Sequence, residues 1–283
     1  MDQGRFLFLD GKFLPSNKAV ISPDNRSFRY GDGFFATIKC NNGRLQLESF
    51  HLERITDSLR LLEFQPPTYF QRDYIRESIL SLLRKNTHNG FARVRCTIFR
   101  GDGGIYDAQN HFPHLMIQSW PLSNESNQLN NNGLDIGIYP YAVKAVDRFS
   151  GIKSNNYLPY TMGAIWAKQA HLNDALILNS SGMIADATIA NLFLVSDGQL
   201  ITPPLSDGPV AGVMRRAVFH IAKEFGIAAE ERSILPSDLL VADEVFLTNA
   251  IYGLKWVKLL GEKHYHQTFT QSFFKKIQLF FLE

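Results

Sequence analysis

The chain has 283 residues, enough for one or two domains with a sizeable buried core, which excludes a small scaffold held by disulfides or a metal. Hydrophobic residues make up 45% and charged residues 20%, a globular balance that excludes wholesale disorder. Lys and Arg number 29 against 27 Asp and Glu, leaving +2 with the basic residues scattered, so the electrostatic footprint of a nucleic-acid binder is missing.

Asp10-Gly11 and Asn42-Gly43 suit the positive φ values of tight turns, and the alternating residues around them predict hairpins over Arg5 to Leu14 and Phe34 to Leu47. Ser49 is expected to N-cap a helix carrying Leu52, Ile55, Leu59 and Leu62, and Ile75, Ile79, Leu82 and Leu83 predict a second helix. Strands are expected at Phe91 to Arg100 and Leu115 to Trp120. The polar, Asn-rich stretch Ser123 to Gly133 has no period and reads as a linker. Beyond it, predicted strands (Leu134 to Tyr139, Ala175 to Asn179, Asn191 to Val195, Glu244 to Thr248, Lys255 to Leu260) alternate with helices near Asn156 to His171, Gly212 to Glu224 and Thr270 to Phe281. The expectation is an N-terminal α/β domain over 1–122, a linker over 123–133 and a larger α/β domain over 134–283. The 22 Phe predict a Phe-rich core or interface.

Cys40 and Cys96 lie far apart and in no CxxC or Cys/His cluster, so a reducing, cytoplasmic compartment is expected. The N-terminal apolar run is too short and too interrupted by Asp2, Arg5 and Asp10 for a leader or a membrane span, so no membrane association is expected.

Tyr30-Gly31-Asp32-Gly33 begins like a dinucleotide fingerprint, but Ala36 takes the third Gly position and no βαβ unit surrounds it, so it reads as a turn. His111-x-x-His114 and His264-x-His266 lack carboxylate or thiol partners, so no metal is expected. The segment Gly151-Ile152-Lys153-Ser154-Asn155-Asn156-Tyr157-Leu158 is more informative. A lysine set after an apolar residue and before a packed helix would be partly desolvated, which lowers its pKa and makes it a usable amine. Around it, in order, come His51-Leu52-Glu53-Arg54 on a helix, Asp186 ahead of a strand, Thr202-Pro203-Pro204-Leu205, and Gly212-Val213-Met214-Arg215 at a helix start. A helix start offers free N–H groups to a phosphate and an arginine can clamp it, so lysine, carboxylate and phosphate cup together describe a pyridoxal phosphate site.

These residues resemble the class IV aminotransferase family, the fold type IV pyridoxal 5′-phosphate enzymes, which include branched-chain and D-amino-acid aminotransferases and 4-amino-4-deoxychorismate lyase. The resemblance runs from the first hairpin to about Tyr252 and rests on RSFRYGDGFFATIK, HLERI, GIKSNNYL, ADATIANLFLV, TPPL and GVMR. It implies the two-domain α/β (α+β) architecture of that fold type, a small-molecule amino substrate and a homodimer. Carried over, Lys153 is the lysine that binds the cofactor covalently and moves the proton at the substrate Cα. Arg54 is the phosphate arginine, the backbone of Gly212, Val213 and Met214 supplies further phosphate contacts, and Asn249 stands where aminotransferases help hold the phosphate. Asp186 takes the place of the glutamate that pairs with the pyridine nitrogen, with a shorter side chain. Phe35, Arg95 and Tyr157 line the substrate pocket.

Several departures favour the lyase members. Ala36 replaces a glutamate that would stand next to the pocket, while Thr248-Asn249-Ala250, Met214 and Arg100-Gly101-x-Gly103-Gly104 look more like the lyases. The expected reaction is therefore the release of pyruvate and 4-aminobenzoate after Cα deprotonation, with transamination of branched-chain-like or other amino acids to a 2-oxo acid as the alternative.

Overall fold

The computed structural model describes residues 3–18, 20–106, 111–123 and 128–281. The chain divides into two compact units, one of residues 1–126 with Ile152–Asn156 and the other of 127–151 with 157–283. The pentapeptide carrying Lys153, placed by sequence in the second domain, thus groups with the first unit, and part of the expected linker, 124–127, lies outside the described residues.

The first unit is built on a six-stranded antiparallel sheet. Its hairpin β1 (Phe6–Leu9)/β2 (Lys12–Pro15) turns at Asp10 and Gly11, both at positive φ, as the dipeptide predicts. A five-residue helix α1 (Arg26–Tyr30) follows, then β3 (Gly33–Asn41) and β4 (Arg44–Leu45), joined through Asn42 and Gly43. Helices α2 (Glu48–Leu61) and α3 (Arg72–Lys85) precede β5 (Phe91–Phe99) and β6 (His114–Pro121), and the strand order is β2-β1-β6-β5-β3-β4. Ser49 does not cap α2: the cap position falls two residues earlier, on Leu47 in the left-handed region, with Glu48 complementing the positive helix end. One sheet face, carrying Ile38, Val94, Ile98, Leu115 and Ile117, packs with Leu52, Ile55 and Leu59 of α2 and Ile75, Ile79 and Leu82 of α3. Leu82 is fully buried, so its truncation to Ala would cost about 2–5 kcal/mol.

The second unit holds a nine-stranded mixed sheet. Its elements are β7 (Leu134–Ile138), α4 (Leu158–Gln169), β8 (Asp174–Leu178), β9 (Ile184–Ala187), β10 (Asn191–Ser196), β11 (Gln199–Thr202) and α5 (Val213–Glu224). Then come β12 (Ala229–Glu231), α6 (Pro236–Val241), β13 (Glu244–Asn249), β14 (Gly253–Leu260), β15 (Lys263–His264) and α7 (Thr268–Phe280). The order is β12-β11-β10-β13-β14-β7-β8-β9, with β15 beside β14. Leu192, Leu194, Leu247, Val257 and Ile136 form one core with Ile234 and Leu239. Phenylalanines link β10 and β13 to α7: Phe193 stacks on Phe246 at 5.2 Å, and Phe246 lies 6.2 Å from Phe273. Among the described residues no helix is long and apolar enough to cross a membrane.

Candidate active site

The glycine-rich turn of the first unit is a positioning device for Lys153. Asn25 N-caps α1 by accepting from Ser27 N at 2.9 Å and Phe28 N at 3.2 Å, and Gly31 ends the helix at φ 69°. Asp32 then accepts from Arg26 Nε at 2.9 Å and from Arg100 Nη1 at 2.6 Å, fixing the entry to β3. At Gly33 any Cβ would press on Ile98 O and Asn155 Nδ2, so only glycine lets the Lys153 segment lie against the strand. Phe35 N donates to Lys153 O and Asn155 N donates to Gly33 O, both at 2.9 Å, and Ser154 bridges Phe34. Lys153 is therefore held in an extended segment along β3, five residues before α4, and is half-buried.

Alternation then decides what surrounds its amine. Phe34 and Ala36 face the core, whereas Phe35 faces the other way. The Lys153 Nζ lies 4.9 Å from the Phe35 ring centroid, and Arg95 Cζ covers the same ring at 3.6 Å. Lys153, Phe35 and Arg95 are thus brought together within one unit. Ala36 is fully buried in the core opposite Cys96, so its side chain lies on the other face of the sheet from Phe35.

The Phe35 face also carries residues that the sequence reading missed. Thr37 pairs with Arg95, and Lys39 pairs with Arg93, so three cations occupy adjacent positions on β3 and β5. Each lies over an aromatic ring: Lys39 Nζ over Phe91 at 5.1 Å, Arg93 Cζ over Trp120 at 4.3 Å, and Arg95 over Phe35. Burial lowers the Lys39 pKa to about 8. The alternation Ala92-Arg93-Val94-Arg95-Cys96 was the available signal.

Arg54 sits half-buried on α2. One turn earlier His51 is fully buried, and burial, followed by the Arg54 charge, pushes its pKa well below the ordinary imidazole value. Neither ring nitrogen of His51 has a hydrogen-bond partner among the described residues, so this histidine is a neutral packing residue. His114, the other notable histidine of this unit, binds Asp10 through Nδ1 at 2.7 Å.

In the second unit Asp186 lies on β9, opposite Ile177 of β8, and is 2% exposed. Its Oδ2 accepts from Tyr160 Oη at 3.1 Å and Val210 N at 2.9 Å, and Lys144 Nζ stands 3.7 Å away. The Tyr160 pKa is raised well above its ordinary value by burial and then by the Asp186 charge, so Tyr160 stays a neutral donor. Tyr157 stacks on Tyr160 at 4.4 Å and donates to Thr188 O at 3.0 Å. Asp174 fixes the same turn by accepting from Thr188 N and Oγ1.

Gly212 precedes α5, whose first turn receives no side-chain cap. Asn191 lies directly against it, donating from Nδ2 to Val210 O at 2.8 Å, and a Cβ on Gly212 would collide with Asn191 Oδ1. The helix start is thereby kept bare, and among the described residues no side chain caps the N–H groups of Val213 and Met214. The side chains of Val213 and Met214 are buried, and Arg215 Nη2 donates to Pro203 O and pairs with Glu231 at 2.8 Å, so the TPPL and GVMR motifs brace one another. Asn249 is half-buried and holds the turn after β13, its Oδ1 accepting from Ile251 N and Tyr252 N.

An amine, an arginine, a bare helix start and a buried carboxylate are the groups that an aldehyde-bearing, phosphorylated pyridine requires, so the residues present fit pyridoxal 5′-phosphate. Among the described residues no cluster of three or more His, Cys, Asp or Glu could hold a metal.

Comparison with known proteins points the same way. Residues 33–259 match the profile of the family described as amino-transferase class IV. A putative branched-chain-amino-acid aminotransferase of Methanocaldococcus jannaschii is 28% identical over 243 residues, covering 86% of this chain and 83% of its own. An aminodeoxychorismate lyase of Bacillus subtilis is 29% identical over 252 residues, covering 87% and 83%. The fold is similar to that of a branched-chain aminotransferase from Thermoproteus uzoniensis solved with norvaline, with a TM-score of 0.88 at 22% identity over 99% of this chain and 95% of that one.

Proposed function

This chain belongs to the class IV aminotransferase family and is a pyridoxal 5′-phosphate-dependent enzyme, and on that premise we propose that it is a 4-amino-4-deoxychorismate lyase, releasing pyruvate and 4-aminobenzoate. When bound, the cofactor supplies an electron sink that makes the hydrogen on the amine-bearing substrate carbon acidic. Lys153 is assigned to hold the cofactor through its amine and to move that proton. Arg54 and the N–H groups at the Gly212-Val213-Met214 helix start would hold the phosphate. Asp186 would accept from the protonated pyridine nitrogen, and Asn249, which holds the turn after β13, would add to the phosphate contacts.

The observation that carries the lyase reading is the row of Lys39, Arg93 and Arg95 on the Phe35 face. Lys39 and Arg93 stand directly opposite one another and Arg95 follows on the same face, so this face presents positive charge to an anionic ligand. A branched-chain amino acid brings one carboxylate and an apolar side chain, whereas aminodeoxychorismate brings two carboxylates. Arg95 would take one and the Lys39/Arg93 pair the other, with Phe35 packed under Arg95.

The chain is further proposed to act as a homodimer. Leu158, Met162 and Ile165, one α4 stripe at helical spacing, are 65%, 41% and 45% exposed and suit contact with a second copy, which sedimentation equilibrium checks. The reaction is tested by product analysis. Incubation with aminodeoxychorismate should yield equimolar 4-aminobenzoate and pyruvate. Glutamate formed from 2-oxoglutarate and a branched-chain amino acid, with no 4-aminobenzoate, would make the chain an aminotransferase.

A further inference from the structure

Lys144 belongs to none of the motifs that mark the site. It follows β7, and its backbone is fixed beside the end of β8, its N–H donating to Leu178 O at 2.8 Å and its residue bridging Asn179. The loop behind it is closed by Ser150, whose hydroxyl donates to Ala145 O at 2.8 Å. The side chain turns inward: the residue is 9% exposed, and Nζ lies 3.7 Å from Asp186 Oδ2 and 5.2 Å from the Tyr160 ring centroid. Among the described residues Nζ has no hydrogen-bond partner. A buried amine with its donors unmet is costly, so its retention beside a carboxylate calls for a role.

We propose that Lys144 is a positioning residue that acts through Asp186, placing a counter-charge beside the carboxylate and so weakening its hold on the proton of the cofactor's ring nitrogen. The inference rests on the assignment of Asp186 given above. Two neutral donors, Tyr160 Oη and Val210 N, already fix Oδ2 in place without altering its charge. Lys144 adds what they lack, a full positive charge close enough to offset the carboxylate but too far to take over one of its hydrogen bonds. The other charged groups acting on this pair are Asp147 from the same loop and Asp174 from β8, and both are acidic. Burial opposes the charge on Lys144, while Asp186 and then Asp147 favour it. The shorter carboxylate, standing where the family resemblance implies a glutamate, thus comes with a partner that moderates it.

The test is the protonation of the ring nitrogen itself. Holoenzyme loaded with pyridoxal 5′-phosphate labelled with ¹⁵N in the ring is titrated, and the ¹⁵N shift is followed for the wild type, K144M, K144R and D186N. In K144M the ring nitrogen should keep its proton to a pH at least about one unit higher than in the wild type, a tenfold change in the equilibrium. K144R, which restores a permanent charge, should titrate like the wild type. If K144M titrates as the wild type does while D186N shifts, the role given to Lys144 is overturned and the Asp186 assignment stands. If D186N leaves the titration unmoved as well, the Asp186 assignment falls and takes the Lys144 role with it. K144Q makes the same comparison should K144M fail to fold.

Discussion

Replacing Gly212 by Ala probes the helix start without touching any charged group. The new Cβ would overlap Asn191 Oδ1, and Asn191 is 5% exposed with its amide committed to Val210 O at 2.8 Å. Either the side chain swings away or the loop moves. The first leaves Val210 O and the Asn191 amide buried and unpaired, at about 1–3 kcal/mol, and Ala is a poorer cap than Gly by about 1 kcal/mol. The second also displaces Val210 N, which donates to Asp186 at 2.9 Å. We expect G212A to lower folding stability by about 2–4 kcal/mol and to weaken cofactor binding at least tenfold, because the start of α5 can no longer keep its place. The assay is a double-mutant cycle with N191A, measured by denaturant melts and by cofactor titration. N191A alone should be destabilising through loss of the Val210 bond, and G212A added to it should cost only the capping difference of about 1 kcal/mol, since the overlap is gone. Strictly additive costs, or full cofactor affinity in G212A, would refute the idea that Asn191 and Gly212 together keep this helix end bare.

K153A should abolish the borohydride-reducible cofactor adduct while leaving the fold intact, as read by mass spectrometry and circular dichroism. R93Q should raise the KM for a dicarboxylate substrate about tenfold with kcat little changed, since a charged hydrogen bond contributes about 1.5–3 kcal/mol; an unchanged KM would remove Arg93 from the pocket. The hydrogen bond to Asp10 raises the pKa of His114 above its ordinary 6.5, so the stabilisation is present below that value and is lost as pH rises through the elevated one. D10N, which can still accept from Leu115 N, should therefore lose stability relative to the wild type at acidic pH and much less at alkaline pH, by under about 1 kcal/mol for so exposed a pair, measured by urea melts at several pH values.

Much of this architecture was legible because local chemistry and tertiary structure agree. Asp10-Gly11 and Asn42-Gly43 turn where their tolerance of positive φ predicts, and the apolar spacing of α3 marks the face it buries. The start of α2 was misread because a short β4 and a bond from Gln46 N to Lys39 O force the chain to turn at Leu47, overriding the preference of Ser49 for a cap. The helix α1 was missed since five residues cannot show a period, and its existence depends on Asn25 at one end and Gly31 at the other. Within the site, motif order identified Lys153 and Asp186, but it could not show which way Ala36 points, because that follows from the register of β3 on β5. Lys144 left no trace in the sequence at all. Its meeting with Asp186 is created by the bridge to Asn179, a contact between segments far apart in the chain.

The pentapeptide Ile152–Asn156 makes the first unit discontinuous. The chain leaves that unit near residue 126, returns for five residues and leaves again, so no single cut separates the two units. A fragment ending at residue 126 would lose the bonds that Phe35 N and Gly33 O make with Lys153 and Asn155, leaving β3 with an open edge over its first residues. An open strand edge invites pairing with a second chain, so such a fragment should aggregate or swap segments rather than fold as a clean monomer. Fusions, circular permutations and split versions of the protein would therefore need to keep this peptide joined to β3, and the lysine it bears is the residue on which the proposed chemistry depends.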